Sequence, residues 1–245
     1  MKFLVAISSC EAYETSGMNK PMRETWLPDV APAGMDYKFF HGKGSTAKED
    51  VVIVDCDDSY KGLIDKFRAK IKWSVDHDYD FVFVCLADCY VRPERLVASC
   101  SHTYFGSVYT HETFGSYCQG GAGFILSKEA CSILTKDTQP LRHRDGTTGD
   151  MWSEDAWAGQ ALLRSGIIPE HSEDFKVWMP HGRPLKHNSI ITCHLSYVEG
   201  DMGYKPERMY LVHRDWLESL KDTVSITPNV VTVPETKRLR WIRRG

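Results

Sequence analysis

No stretch of about 18 apolar residues occurs in the sequence, so it offers no helical membrane span. The opening MKFLVAISSCEAY is apolar for only five or six residues before Ser8, Ser9 and Glu11. That is too short for the core of a signal peptide, and it reads instead as a first β-strand. There is no CxxC pair, and Cys85 and Cys89 are the closest two of eight cysteines. Cys56, Cys85 and Cys131 lie in apolar segments, where a thiol behaves as a small hydrophobe. With no export signal beside them, the thiols are expected reduced and the protein cytoplasmic, in the host cytoplasm if a phage encodes it. Internal repeats, low-complexity tracts and linkers are missing too, which points to one domain over residues 1–236 and a short tail over 237–245. A P-loop lysine motif is absent, and no GxGxxG follows the first strand.

What is present is ordinary in bulk: 245 residues, 42% hydrophobic and 26% charged, long enough for one larger α/β domain. The net charge of −3 hides an asymmetry. Lys237, Arg238, Arg240, Arg243 and Arg244 crowd the tail, so 25 of the 30 basic residues face 33 acidic ones in the rest, a net of −8.

Phe3–Ile7, Tyr37–His41, Val51–Val54 and Phe81–Cys85 read as strands, apolar or β-branched runs closed by polar residues. From Leu63 a helix follows, with Leu63, Phe67, Ile71 and Val75 on one face and Asp65, Lys66, Arg68, Lys70 and Lys72 on its polar side. Pro93 opens another helix. Strand and helix in alternation predict an α/β fold with a mainly parallel, twisted central sheet flanked by helices. In the second half, Gly120-Gly121-Ala122-Gly123 leads into a strand, Phe124–Leu126, and Ser127 caps a helix starting at Lys128. Residues 136–153 read as a polar loop, and Glu154–Arg164 as a helix capped by Ser153. After Gly166, short strands and irregular segments are expected up to the tail.

The strand Phe81–Cys85 runs into a lone acid, Asp88. A carboxylate at the C-terminal end of a strand is a common ligand position in α/β proteins, and Asp is equally a turn former. Those residues alone leave both readings open.

Four segments in order carry more. They are MRETWL (22–27), VDCDDSYKGLIDKF (54–67), CLADCYV (85–91), and GGAGFILS with SEDAWAGQALLRSGI (120–127 and 153–167). Together they resemble glycosyltransferase family 31, the β-1,3-glycosyltransferases that include Fringe and the core 1 galactosyltransferase, over about residues 3–197. The resemblance implies a single GT-A, Rossmann-like domain that takes a nucleotide sugar, a UDP-sugar, together with Mn²⁺ or Mg²⁺. It makes Asp88 the metal-binding last acid of the family's D-D-D, with Leu86 and Ala87 standing where the first two would be. His194 in TCHLSY matches the second metal ligand, with His213 as the alternative. Asp155 matches the catalytic base and Glu154 its substitute, although acids in a first turn also simply complement a helix terminus. Ser8, Ser9 and Arg23 are implied nucleotide contacts; Asp58 and Lys66 bound the donor pocket, and Gly121 belongs to its glycine segment.

The implied reaction is an inverting transfer from the nucleotide diphosphate sugar to an acceptor hydroxyl. Golgi members of the family carry a membrane anchor, a stem and disulfides, so an intracellular acceptor is expected here. A bacterial glycan or lipid precursor, a protein, a small metabolite and a hydroxymethylated base in phage-type DNA all qualify. The basic tail with Trp241 suits DNA phosphates and bases, and suits equally a solvated terminus. A non-catalytic module binding sugar nucleotides or glycans is the rival, and a metal-dependent phosphoesterase a more distant one.

Overall fold

The computed structural model describes residues 1–143, 147–148, 153–179 and 189–224. The basic tail with Trp241, and part of the loop expected over 136–153, lie outside these residues. The apolar opening forms β1 (Phe3–Ser8), which pairs in parallel with β2 (Asp36–His41) on one side and β4 (Phe81–Leu86) on the other. β3 (Val51–Ile53) extends the sheet beyond β2. Side chains alternate across a strand, so β1 feeds two cores: Phe3, Val5 and Ile7 enter one, Leu4 and Ala6 the other. That explains an unbroken apolar run, since a sheet covered on both faces has no solvent side.

The chain continues through β5 (Cys89–Val91), β6 (Tyr104–Gly106), the ribbon β7 (Val108–His111) with β8 (Gly115–Cys118), β9 (Phe124–Ser127) and β10 (Glu170–His171). The central sheet has seven strands in the order β10-β6-β9-β4-β1-β2-β3. β9 runs antiparallel to both neighbours and every other pairing is parallel. β11 (Phe175–Lys176) and β12 (Thr192–His194) join β5 in a second small sheet, followed by the hairpin β13 (Tyr197–Val198) and β14 (Asp201–Met202).

Helices cover both faces. Short α1 (Glu11–Thr15) and α2 (Lys20–Glu24) precede α3 (Leu63–Asp76) and α4 (Pro93–Ala98). α5 (Lys128–Lys136), α6 (Glu154–Arg164) and α7 (Pro206–Val224) complete the set. Met22 of α2 with Met209 and Val212 of α7 pack into the first core; Phe67 of α3, Leu134 of α5 and Trp157 of α6 pack into the second. No helix among the described residues is long and apolar enough to cross a membrane.

Three expectations need correction. Irregular structure was expected after Gly166, whereas α7 is the longest helix in the described residues. Lys66 and Lys70 were placed on the polar side of α3, and both are buried. The 3.6-residue period puts them beside Leu63, Phe67 and Ile71, and each ammonium finds a partner at the end of β1. Ser153 makes no side-chain cap to α6, while Ser127 does cap α5 by accepting from the Ala130 amide.

Candidate active site

The site lies at the C-terminal ends of β1 and β4, the edge where open α/β sheets hold ligands. Asp88 sits in the two-residue turn between β4 and β5. β12 pairs antiparallel with β5 in a register that sets His194 opposite Cys89. His194 Nε2 thereby meets Asp88 Oδ2 at 3.0 Å, from 106 positions away in sequence, and Ser196 Oγ donates to the same oxygen. The imidazole at Asp88 is that of His194; His213 lies on α7 against the Tyr90 hydroxyl, at 3.1 Å. Asp88 Oδ1 and His194 Nδ1 are both buried without a hydrogen-bond partner.

Gly120 and Gly121 form a short turn just before β9 and face opposite ways. A Cβ at Gly121 would fall 2.5 Å from His194 Nδ1, so only glycine lets the ring lie where it does. On the other side the Gly120 amide donates to Asp155 Oδ2 at 2.9 Å, and Ala156 N donates to Asp155 Oδ1 at 2.8 Å. Gly123 closes the turn at φ +72°, where a Cβ would strike the Phe83 ring at 2.3 Å. One glycine turn thus separates the Asp88–His194 pair from the Glu154–Asp155 pair at the start of α6.

Burial pushes the Glu154 carboxyl up to about 7; the charge of Asp155 adds to the rise and Lys70 opposes it. Burial also raises Asp155, against the Gly120 and Ala156 amides that favour its ionised form. Lys70 Nζ donates to Ser8 Oγ at 2.7 Å, and burial lowers its ammonium to about 8 while Glu154 opposes that fall. Neither Lys70 nor Ser196 stood out in the sequence. A lysine four residues after Lys66 on an amphipathic face was the available signal for the first; nothing local marks the second.

The other expected residues sort into two groups. Ser8 and Ser9 reach the site edge with their hydroxyls engaged, Ser8 by Lys70 and Ser9 by the Asn19 amide oxygen at 2.8 Å. Buried Lys66 pairs with half-buried Asp58 at 2.9 Å and also donates to the Ser9 carbonyl. Burial works against the Asp58 charge, but Lys66 and the Glu11 and Gly42 amides hold its carboxyl below the usual range. Asp58 therefore ties together the start of α1, the end of β2 and α3. Arg23 is paired with Glu14 at 3.0 Å and Asp50 at 2.9 Å, over the ring of Phe39.

Asp88 and His194 suit a divalent cation. Adjacent ligands of an octahedral Mg²⁺ or Mn²⁺ at about 2.1 Å stand about 3 Å apart, which is the Asp88–His194 spacing. The unpartnered Asp88 Oδ1 leaves a further donor atom. No group of three histidines, cysteines or carboxylates that could hold a metal occurs among the described residues, where Asp88 and His194 stand as a pair. These two fit as adjacent ligands of a cation completed by substrate oxygens and water.

No family model matches the chain, and no curated protein matches it. Among solved structures, it is similar to a glycosyltransferase involved in the glycosylation of the major capsid of PBCV-1: 10% identical over 87% of this chain and 99% of the other, with a TM-score of 0.46. Likeness at that level bears on neither activity nor substrate.

Proposed function

We propose that the chain is an inverting glycosyltransferase, moving a sugar from a nucleotide diphosphate sugar, a UDP-sugar, to an acceptor hydroxyl. The observation that carries this reading is the glycine turn that holds a carboxylate pair on one side and an aspartate–histidine pair on the other. Asp155 accepts one backbone amide on each oxygen, which fixes the carboxylate and leaves a lone pair on each for a substrate hydroxyl. Its raised affinity for protons suits a general base. As the acceptor oxygen attacks C1 of the sugar, Asp155 takes the hydroxyl proton. The bond from C1 to the diphosphate oxygen breaks with its electrons on the diphosphate, and one displacement inverts the anomeric centre, as in inverting hydrolysis. A divalent cation held by Asp88 and His194 would offset the charge of the departing diphosphate. Glu154, buried beside Asp155 at the start of α6, is the substitute base.

Incubation with a panel of UDP-sugars, with and without Mn²⁺, tests the reading. Release of UDP by the parent, reduced by roughly 10²–10⁴ in Asp155→Asn, is the expected result. Asn offers one acceptor where Asp155 offers two, so the variant also loses about 1–3 kcal/mol of stability, and UDP binding by calorimetry serves as its folding control. Asp88→Ala should abolish the Mn²⁺-dependent part of UDP affinity. Phosphate release would identify a hydrolase, and UDP binding without release a non-catalytic module; either outcome sinks the proposal.

A further inference from the structure

The rim next to the Asp88–His194 pair carries aromatic rings that the transfer chemistry leaves unused. Trp178 and Tyr197 are 54% and 42% exposed, with ring centroids 6.2 Å apart and planes tilted by 45°. Tyr197 in turn meets the His194 ring edge-on at 4.5 Å. These rings are not on a loose loop. Met179 N donates to the Tyr197 carbonyl and Glu199 N to the Met179 carbonyl, both at 2.9 Å, so a β-bridge fixes Trp178 beside Tyr197. Tyr60 is 68% exposed on a short turn. Burial raises its phenol, and the charges of Glu154, Tyr197 and Asp155 raise it further.

Single exposed aromatics need no explanation. Two in contact, one of them packed on the His194 ring beside Asp88, are a stacking surface for a flat or ring-shaped ligand. Two ligand classes stack in this way, sugars through their C–H faces and nucleobases through their π-faces. Charge decides between them. Residues outside the basic tail carry a net of −8, which repels an extended phosphate backbone. The single diphosphate of a donor is instead offset by the cation proposed at Asp88 and His194, near the carboxylates of Glu154 and Asp155. The same carboxylates accept hydrogen bonds from sugar hydroxyls.

We propose that Trp178 and Tyr197 form the platform on which a sugar ring of the acceptor stacks, so that this chain acts on a neutral glycan. Only the word acceptor rests on the transfer reading above; the platform itself is a binding site. The full chain would be applied to a printed glycan array, and titrated with lactose, N-acetyllactosamine, cellobiose and chitobiose while tryptophan fluorescence is followed. Glycan binding is expected, weakened about ten-fold in both Trp178→Ala and Tyr197→Ala, the size of a lost aromatic partner, and kept in Tyr197→Phe. UDP affinity and the melting temperature should not change in Trp178→Ala, since that side chain is more than half exposed. No glycan bound, glycan binding indifferent to both alanine variants, or single-stranded oligonucleotide binding that needs Trp178 would each overturn the platform. UDP release without glycan binding would remove the platform and leave transfer standing; glycan binding without UDP release from any donor would do the reverse.

Discussion

Glu154 and Lys70 are buried charges whose protonation follows from where the chain has put them. Burial moves the acid from 4.5 to about 7 and the ammonium from 10.5 to about 8, and each charge opposes the other's shift. For a carboxyl with a raised folded value, the folded chain keeps its proton after the unfolded chain has lost it. Stability therefore falls as pH rises from about 4.5 to about 7. Glu154→Gln cannot lose that proton, so relative to the parent it should gain stability over the same interval. At about 1.4 kcal/mol per pKa unit the gain is at most about 3–4 kcal/mol. Urea denaturation of both proteins at pH 5 and pH 7.5 measures it. A difference that stays constant between the two pH values would mean that Glu154 is solvated.

Helix termini give a matched comparison at the scale of elements. Ser127 and Ser153 both precede a helix, and only Ser127 accepts an amide, from Ala130 at 3.3 Å. Ser127→Ala should cost about 1 kcal/mol. Ser153→Ala should stay within about 0.5 kcal/mol, as a surface substitution that loses no partner does. Equal losses in thermal melts would contradict the difference between the two caps. The sequence could not separate them, because a cap depends on the backbone angle of one residue: ψ is 164° at Ser127 and 70° at Ser153. Strands were easier to see, since Phe3–Ile7 and Phe81–Cys85 are apolar on both faces and suit a covered sheet. α7 was missed although its signals were present: Pro206 in the first turn, Glu207 beside it, and Met209, Val212, His213 and Trp216 at helical spacing. Its charged residues masked that stripe. In α3, counting every lysine as solvent-facing hid the period that buries Lys66 and Lys70.

Across the whole molecule, what local pattern could not deliver is the meeting of distant segments. Asp88 was visible as an acid at a strand end, but its partner arrives on β12, and the register of β12 with β5 is fixed by tertiary packing. The antiparallel return of β9 likewise brings the glycine turn to the end of β4, against the parallel order that alternation suggests. The two cores on either side of the sheet make one further prediction, through the thiols. All eight cysteines are free, six of them buried and two, Cys10 and Cys100, only partly so. The buried ones divide between the layers, with Cys85, Cys89 and Cys193 in the first core and Cys56, Cys118 and Cys131 in the second. Burial also raises the Cys131 and Cys193 thiols to about 12, so little thiolate is available to react even when a reagent reaches them. A thiol reagent such as Ellman's should therefore modify Cys10 first in the native protein, then Cys100, whose thiol burial raises to about 11, and the other six only as fast as the layers open. In denaturant all eight should titrate at once, and added reductant should leave the melting temperature where it was. Fast labelling of Cys85 or Cys131 in the native protein, located by peptide mass mapping, would show that the layer covering it is open in solution.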